Sequence, residues 1–181
     1  MEKQVPKTYH AAPLPFQGQK RNFVTQYRAA LKEFKEEHAI DTVVDLFGGS
    51  GFLSHVSKRD YPELRVIYND FDNYHLRIQN VRATNALLTS IRTVLKDYPG
   101  DRKIMSREVL RIIKQEEDSG CFVDYITLSS SLLFSLNYAL NSEKLSSETL
   151  YNKVRKSDYN TDGYLDHLEI VRKDYKELFT Q

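Results

Sequence analysis

The sequence predicts an α/β fold built around a parallel sheet. The β-branched run Thr42–Phe47 is followed directly by the turn Gly48-Gly49-Ser50-Gly51 and then by a helical pattern that begins at Phe52. A second apolar run, Leu64–Tyr68, follows that helix. Strand, glycine turn, helix and strand in this order form a parallel β-α-β unit. We therefore expect the two strands to lie side by side and to run in the same direction.

The composition agrees with a folded domain. The chain has 181 residues, 40% of them hydrophobic, and its 26 Lys and Arg side chains against 25 Asp and Glu give a formal net charge of +1. This suffices for one domain with a sizeable core. No run reaches the ~20 apolar residues of a membrane helix, and the first residues lack the apolar core of a signal peptide, so we expect a cytoplasmic protein with no membrane partner. The single cysteine, Cys121, excludes an intrachain disulfide.

Helical spacing continues on both sides of the β-α-β unit. Upstream, a loop rich in proline precedes an amphipathic helix over about 19–37. Downstream, the spacing predicts one long helix over 73–97 and further helices over 105–117, 128–136 and 146–156. Two segments remain open: 121–127 is a strand or an extended linker, and 165–179 is a strand then a helix, or a single helix.

The glycine turn has the composition of a ligand-binding loop. Glycine at positions 49 and 51 lets the backbone take positive φ, and the helix that follows offers unpaired N–H groups to an anion such as a carboxylate. Ser54 stands where a dinucleotide-binding fingerprint has its third glycine, which disfavours a nicotinamide nucleotide. Asp45, four residues before Gly49, suits a ligand that carries an ammonium group.

The second strand ends on an acidic residue. Asp70 follows Asn69 about 20 residues after the glycine turn, where a carboxylate typically accepts both hydroxyls of a ribose. Asp70 is alternatively a cap for the helix that begins near Tyr74. The spacing favours the ligand role.

Three segments resemble motifs of the Dam-like, adenine-specific DNA methyltransferases. They are Pro13-Leu14-Pro15-Phe16-Gln17-Gly18-Gln19-Lys20, the turn with its flanks Asp45-Leu46-Phe47-Gly48-Gly49-Ser50-Gly51-Phe52, and Tyr68-Asn69-Asp70. The resemblance implies a Rossmann-like sheet that binds S-adenosylmethionine. The implied cofactor contacts are Phe16, Gly18 and Lys20 at the methionine end, Asp45, Phe47, Gly49 and Gly51 beneath it, and Asp70 at the ribose. Val171-Arg172-Lys173-Asp174-Tyr175 resembles a later segment of the family, which implies that Asp174 contacts the cofactor's adenine and that Tyr175 belongs to the same site.

The middle of the chain is basic. Nine basic residues between 74 and 114 stand against three acidic ones. Such a stretch is either a solvated helix face or an attractor of polyanions. The resemblance implies a mainly helical target-recognition insertion over 74–166, flanked by a cofactor-binding half over 1–73 and 167–181, and duplex DNA as the partner. The candidate phosphate contacts are Arg77, Arg82, Arg92, Lys96, Arg102, Lys103, Arg107 and Arg111.

The family's catalytic tetrapeptide of the type Asp-Pro-Pro-Tyr is absent, because none of the five prolines is adjacent to another. Its side chains would accept the amine of the flipped target base and stack on the ring. We assign no catalytic residue and expect the cofactor-binding part of a site-specific DNA adenine methyltransferase, incomplete at its C-terminal side and inactive alone. The exposed sheet edge predicts a complementing polypeptide or a homo-oligomer. A non-catalytic, DNA-binding relic of such an enzyme is an alternative.

Residues 158–169 carry a competing signal, since they match an EF-hand calcium loop. The oxygen ligands would be Asp158, Asn160, Asp162, Asp166 and Glu169. The pattern predicts a calcium-binding interaction protein as a further alternative. A second loop is missing and the same residues fit a polar turn, which disfavours a metal. Glu169 discriminates between the two, because it points at the metal in a calcium loop and lies along a strand after a turn.

Overall fold

The computed structural model describes residues 7–97, 102–134, 137–151 and 154–179. The chain divides into two compact units. We call residues 1–76 with 161–181 the sheet unit and residues 77–160 the helical unit. Within the described ranges, no helix combines the length and the apolar character that crossing a lipid bilayer requires.

The described part of the sheet unit contains three parallel strands. These are β1 (Thr42–Asp45), β2 (Arg65–Asn69) and β3 (Glu169–Val171), in the order β1-β2-β3. Val43 pairs with Val66, and Tyr68 pairs with Ile170. The α/β class and the parallel pairing of the first two strands are thus confirmed. The third strand comes from the end of the chain, so β2 has a neighbour on both sides.

The helices follow the sequence pattern in most places. They are α1 (Val24–Glu37), which a 3₁₀ turn at Lys20–Phe23 precedes, α2 (Phe52–Asp60), α3 (Tyr74–Gln79), α4 (Val81–Asp97), α5 (Arg102–Asp118), α6 (Tyr125–Leu132), α7 (Ser142–Ser147) and α8 (Tyr175–Phe179). Residues 121–124 are an extended linker, and the end of the chain forms a strand and then a helix. Both open alternatives are decided in this way.

Two helix predictions are wrong, and the helix expected over 128–136 is displaced: α6 spans Tyr125–Leu132, residues 133 and 134 are not helical, and 135–136 lie outside the described residues. The expected long helix over 73–97 is divided at Asn80, which directly precedes the first residue of α4. Asparagine is common at the position before a helix, because its side chain can hydrogen-bond to nearby backbone groups. The helix expected over 146–156 lies earlier, because the Asn141 side chain caps α7 by accepting the N–H of Lys144 at 2.8 Å. Among the described residues after Ser147, none up to 156 is helical.

The helical unit has its own apolar core. Leu87, Leu88 and Ile91 are buried on one face of α4, which packs against α5. Val109 and Ile113 line the facing side of α5 and are also fully buried. These positions recur at helical spacing, so the amphipathic pattern of the sequence is used for packing.

A buried ion pair lies within the helical unit. Arg77 Nε donates to Asp124 Oδ2 at 2.9 Å, and the two side chains are 6% and 1% exposed. Asp124 also caps α6, because its Oδ1 accepts the N–H of Thr127 at 3.0 Å. The prediction that Arg77 contacts a DNA phosphate is therefore wrong. Its guanidinium is out of reach of a large ligand and its charge is already balanced.

We expect Arg77→Met to lower the free energy of unfolding by about 3–5 kcal/mol, because the substitution leaves the Asp124 carboxylate buried without its counter-charge. Urea denaturation followed by circular dichroism measures this change. Arg82→Met is the matched control, since Arg82 is exposed at the start of α4 and a surface substitution usually changes stability by less than about 0.5 kcal/mol. Equal stabilities of the two variants would contradict the structural role of the pair.

Candidate ligand-binding site

The glycine turn joins β1 to α2 at the carboxyl end of the sheet. Gly49 and Gly51 have φ of +52° and +69°, a region that disfavours other residues. Gly48 is required for a different reason, because a Cβ at this position would come within 2.3 Å of the Tyr68 ring. No side chain caps α2, whose N-cap is Gly51. The first N–H groups of α2 are therefore directed out of the helix with no capping side chain.

Tyr68 of β2 holds the glycine turn by a hydrogen bond. Its buried hydroxyl lies 2.6 Å from the carbonyl oxygen of Gly49 and 2.9 Å from Asp70 Oδ1, and it donates its proton towards these two acceptors. Burial, together with the negative charge of Asp70, raises the pKa of Tyr68. The phenol therefore stays protonated and remains a donor to the turn at all ordinary pH values.

Tyr74 brings the N-terminal segment to the turn. The Tyr74 hydroxyl accepts the N–H of Leu14 at 2.9 Å and donates to the Leu14 carbonyl at 3.1 Å. The rings of Phe16 and Tyr74 pack nearly perpendicular to each other, with 5.7 Å between ring centroids. A Cβ at position 49 would lie 3.1 Å from Phe16, so this ring contacts the glycine turn directly. This role of Tyr74 was not predicted from the sequence.

A cleft of about 170 Å³ opens between the N-terminal segment and the turn. It is lined by Phe16, Gly18, Lys20, Phe47, Gly48, Gly49, Ser50, Phe52, Leu53 and Asp72. Five predicted cofactor residues are among them: Phe16, Gly18, Lys20, Phe47 and Gly49. Lys20 Nζ donates to the Phe47 carbonyl at 2.8 Å, which holds the ammonium group at the mouth of the turn. Asp72 was not predicted, although its place just after β2 was a usable signal.

The two carboxylates that were predicted near the turn, Asp45 and Asp70, do not line this cleft. Asp45 Oδ2 accepts the hydroxyl of Ser54 at 2.7 Å. Asp70 is only 5% exposed, and its Oδ1 and Oδ2 accept the N–H groups of Tyr74 at 2.7 Å and His75 at 2.9 Å. The structure therefore shows the capping alternative for Asp70.

Asn69 connects the segments that follow all three strands. Its side-chain amide donates to the carbonyl oxygens of Leu46 and Lys173, both at 3.0 Å, and its Oδ1 accepts the N–H of Lys173 at 3.0 Å. The segment after β3 is thereby fixed beside the turn. Phe47 and Tyr175 meet across this junction, with 5.3 Å between ring centroids and both rings substantially exposed. Asp174 accepts the N–H of Lys176 at 2.9 Å and does not line the cleft.

A second aromatic cluster holds Ser50 in place. Tyr164 donates its hydroxyl to the Ser50 carbonyl at 3.1 Å, and its ring stacks on His55 with 4.9 Å between centroids. His55 lies on α2, where its Nδ1 donates to the Tyr164 carbonyl at 2.8 Å and its Nε2 accepts the N–H of Tyr9 at 3.4 Å. Burial lowers the pKa of His55, so the ring is neutral in this arrangement.

The described structure does not bring the residues of the EF-hand pattern together as a set of metal ligands. Glu169 lies on β3. Its carboxylate accepts two hydrogen bonds from Arg65 of β2, from Nε at 2.7 Å and from Nη2 at 2.9 Å. Asp158 is ion-paired with Arg92. In the part of the chain that the structure describes, no group of three or more His, Cys, Asp or Glu side chains is placed to hold a metal ion. Glu169 thus follows the strand alternative.

The basic residues of the middle segment differ in their surroundings. Arg92 donates to Asp158 and to the Lys156 carbonyl, and Arg111 is paired with Glu108. Three others are exposed and form no ion pair within the described ranges: Arg82, Lys96 and Arg107. The side chains of Arg102 and Lys103 lie outside the described part of the chain.

Comparison with known proteins gives one clear similarity. The chain is 39% identical over 175 residues to a protein of Haemophilus influenzae (strain ATCC 51907 / DSM 11121 / KW20 / Rd) named "Putative methyltransferase". The match covers 95% of this chain and 59% of that protein, so the chain spans less than two thirds of the relative's length. No family model matches the chain, and no solved structure matches it.

We expect the free energy of unfolding to fall as the pH drops from about 7 to about 5, because His55 is neutral when buried and gains its proton, with a pKa near 6.5, once the chain unfolds. His55→Asn keeps a donor that can reach the Tyr164 carbonyl but removes the titration, so its stability should fall less over this range. Urea denaturation at a series of pH values measures both proteins. His38→Asn is the control, since His38 is exposed. Parallel pH curves for wild type and His55→Asn would contradict this assignment.

Proposed function

We propose that this chain binds S-adenosylmethionine at the glycine turn and is the cofactor-binding part of a site-specific DNA adenine methyltransferase. One observation carries the proposal: Phe16, Gly18 and Lys20 line a single cleft with residues 47–49 at the carboxyl ends of parallel strands, which is where α/β sheets bind ligands. The similarity to the H. influenzae protein supports methyl transfer as the chemistry.

The residues of the cleft fit the methionine end of this cofactor. The ammonium group of Lys20 and the uncapped first turn of α2 both suit a carboxylate. The rings of Phe16 and Phe47 offer apolar surface for the carbon chain beside the sulfur. The cleft of about 170 Å³ is smaller than the ~300–1,000 Å³ of pockets that enclose a whole small molecule. The ribose and adenine would then extend past Phe47 towards Tyr175.

Asp72 is better placed than Asp70 to accept hydrogen bonds from the ribose hydroxyls. Asp70 is buried and both of its oxygens already accept backbone N–H groups of α3. Asp72 is exposed and its side chain belongs to the wall of the cleft. We therefore propose that Asp70 positions the strand end and that Asp72 accepts the hydroxyls.

When bound, the cofactor supplies a methyl group that its sulfonium charge activates. The residues of this chain contribute positioning, which is the main demand of a direct transfer between two aligned reactants. Lys20 would hold one end of the cofactor, the aromatic rings would exclude water along its length, and Asp72 would orient the sugar. We assign no described residue to accept hydrogen bonds from the amine of the target adenine.

The proposal of DNA as the substrate rests on the basic helical unit. Arg82, Lys96 and Arg107 are exposed and are free of ion pairs within the described ranges, so each can neutralise a phosphate. Arg92 and Arg111 already balance acidic neighbours, which makes them weaker candidates. We propose that duplex DNA binds to the helical unit through these three cations.

We also propose that the sheet acquires a further strand. Among the described strands, β1 and β3 have one neighbour each. An open edge presents unpaired N–H and C=O groups that favour pairing with another chain. The strand would come from a complementing polypeptide or from a second copy of this chain.

We expect the purified chain to bind S-adenosylhomocysteine, and we expect Lys20→Ala and Asp72→Asn each to weaken binding by about 10- to 100-fold, since each removes a charged hydrogen-bonding group worth about 1.5–3 kcal/mol. Isothermal titration calorimetry measures the affinities. Lys20→Ala removes the group proposed for the carboxylate, and Asp72→Asn removes the group proposed for the ribose.

Asp70→Asn is the matched control for Asp72→Asn. It should lower the thermal midpoint, because one N–H group at the start of α3 loses its acceptor at a cost of about 1–3 kcal/mol, and its affinity should change little at temperatures where it is folded. The opposite pattern, with binding lost in folded Asp70→Asn and kept in Asp72→Asn, would restore Asp70 as the ribose ligand. Absence of binding by the folded wild type would refute the proposed cofactor.

We expect the triple variant Arg82→Gln, Lys96→Gln, Arg107→Gln to bind duplex DNA more weakly and with a smaller salt dependence. The log–log slope should decrease by up to about 3, one for each phosphate that is no longer neutralised. Fluorescence anisotropy over a series of salt concentrations measures both quantities. Arg28→Gln, Lys32→Gln, Lys35→Gln on α1 removes the same charge from the sheet unit. Equal weakening in both triple variants would indicate a general effect of net charge and would refute a site on the helical unit.

A further inference from the structure

A second cavity lies wholly within the helical unit and has no part in the cofactor site. Its volume is about 630 Å³, and its wall includes Phe134, Tyr151, Arg155, Tyr159, Ser130 and Ser131. We call it the aromatic pocket. Its size falls within the range of small-molecule sites, which is ~300–1,000 Å³.

The pocket presents two aromatic rings to solvent. Phe134 is 63% exposed and Tyr151 is 50% exposed, and their ring centroids are 5.8 Å apart. The N–H of Tyr151 donates to the Leu132 carbonyl at 2.7 Å, so the Tyr151 segment is fixed to the end of α6, next to Phe134. A contacting pair of exposed rings offers a large apolar area that a flat ligand can cover.

A cation is held at the same pocket. The guanidinium of Arg155 lies 4.5 Å from the centroid of the Tyr159 ring, and its Nε donates to the carbonyl and hydroxyl oxygens of Ser157 at 2.9 and 3.2 Å. Tyr159 is itself fixed, since its N–H donates to Asn85 Oδ1 at 2.9 Å. The plane and the charge of Arg155 are therefore oriented in advance.

We infer that the aromatic pocket binds a nucleobase that is not stacked in a duplex, with Arg155 pairing with the adjoining phosphate. Aromatic rings stack on any base, and arginine recognises phosphate with two parallel hydrogen bonds. The Ser130 hydroxyl donates to the Thr127 carbonyl at 2.8 Å and so offers only an acceptor to the edge of the base, whereas the Ser131 hydroxyl can supply a donor and an acceptor. The base must be unstacked, because both of its faces are covered inside a duplex.

Charge argues for a nucleic acid over an apolar peptide or a second copy of the chain. The wall contains a cation and no Asp or Glu among its described residues. The helical unit also carries the exposed Arg82, Lys96 and Arg107, which would attract the same polyanion. This site is separate from the glycine turn, and the inference draws on the proposed function only for the choice of DNA.

The test uses a single-stranded oligodeoxynucleotide that carries one 2-aminopurine, a fluorescent base that is quenched by stacking. We expect the wild-type chain, without cofactor, to bind it and to quench its fluorescence. Phe134→Ala, Tyr151→Ala should weaken binding at least tenfold and abolish the quenching, because the pair of rings that offers the stacking surface is removed. Arg155→Gln should weaken binding while part of the quenching remains.

Two controls keep the inference falsifiable if a variant is unstable. Leu140→Ala removes an exposed apolar side chain outside the pocket wall and should change nothing. An oligonucleotide with an abasic site in place of the 2-aminopurine, tested on the wild type, should bind at least tenfold more weakly. Equal binding of the two oligonucleotides, or unchanged quenching by a folded double variant, would overturn the inference. A monomeric mass in the double variant where the wild type is oligomeric, without any effect on oligonucleotide binding, would assign the pocket to self-association instead.

The oligonucleotide test and the cofactor test can fail separately. Binding of S-adenosylhomocysteine in calorimetry with no oligonucleotide binding would retain the proposed cofactor and reject the pocket. Oligonucleotide binding without binding of S-adenosylhomocysteine would retain the aromatic pocket and reject the proposed cofactor.

Discussion

The carboxyl end of β2 is the constraint on which the sheet unit depends. Tyr68, Asn69 and Asp70 are consecutive, and all three are polar groups buried where water cannot satisfy them. Each therefore needs a partner, and each finds it on a different segment: the glycine turn, the segments after β1 and β3, and the start of α3. The cleft has fixed walls because these three residues leave its surroundings little freedom to move independently.

The parts of this arrangement that are local in sequence could be predicted. The two first strands, the turn between them and α2 follow from apolar periodicity and glycine spacing within 28 consecutive residues, 42–69. The hydrogen bonds of Tyr74 with Leu14 join positions 60 residues apart, and nothing in the pattern of either residue indicates the other. The sequence did not distinguish two roles for Asp70, because an acidic residue at this strand end can act both as a ribose ligand and as a helix cap.

The position of a charged side chain in the fold decides its role more than the net charge of its segment does. Arg77 adds to the basic total of the middle segment, yet it is buried against Asp124, which lies 47 residues further on. The EF-hand pattern failed in a similar way, since every required residue is present but Glu169 pairs with Arg65, 104 residues away. In each case a partner distant in sequence decided what a locally plausible side chain does, and residue spacing alone does not reveal such a partner.

The division of the chain into units has a consequence for the order of folding during synthesis. The sheet unit is discontinuous, because residues 77–160 separate its first two strands from β3, Tyr164 and the partner of Asn69 at Lys173. As the chain leaves the ribosome, β1 and β2 emerge long before the residues that cover them. The entropic cost of closing so long a loop falls if the helical unit becomes compact first. The helical unit would then act as the spacer that delivers β3, so mutations in the core of the helical unit should slow maturation of the sheet.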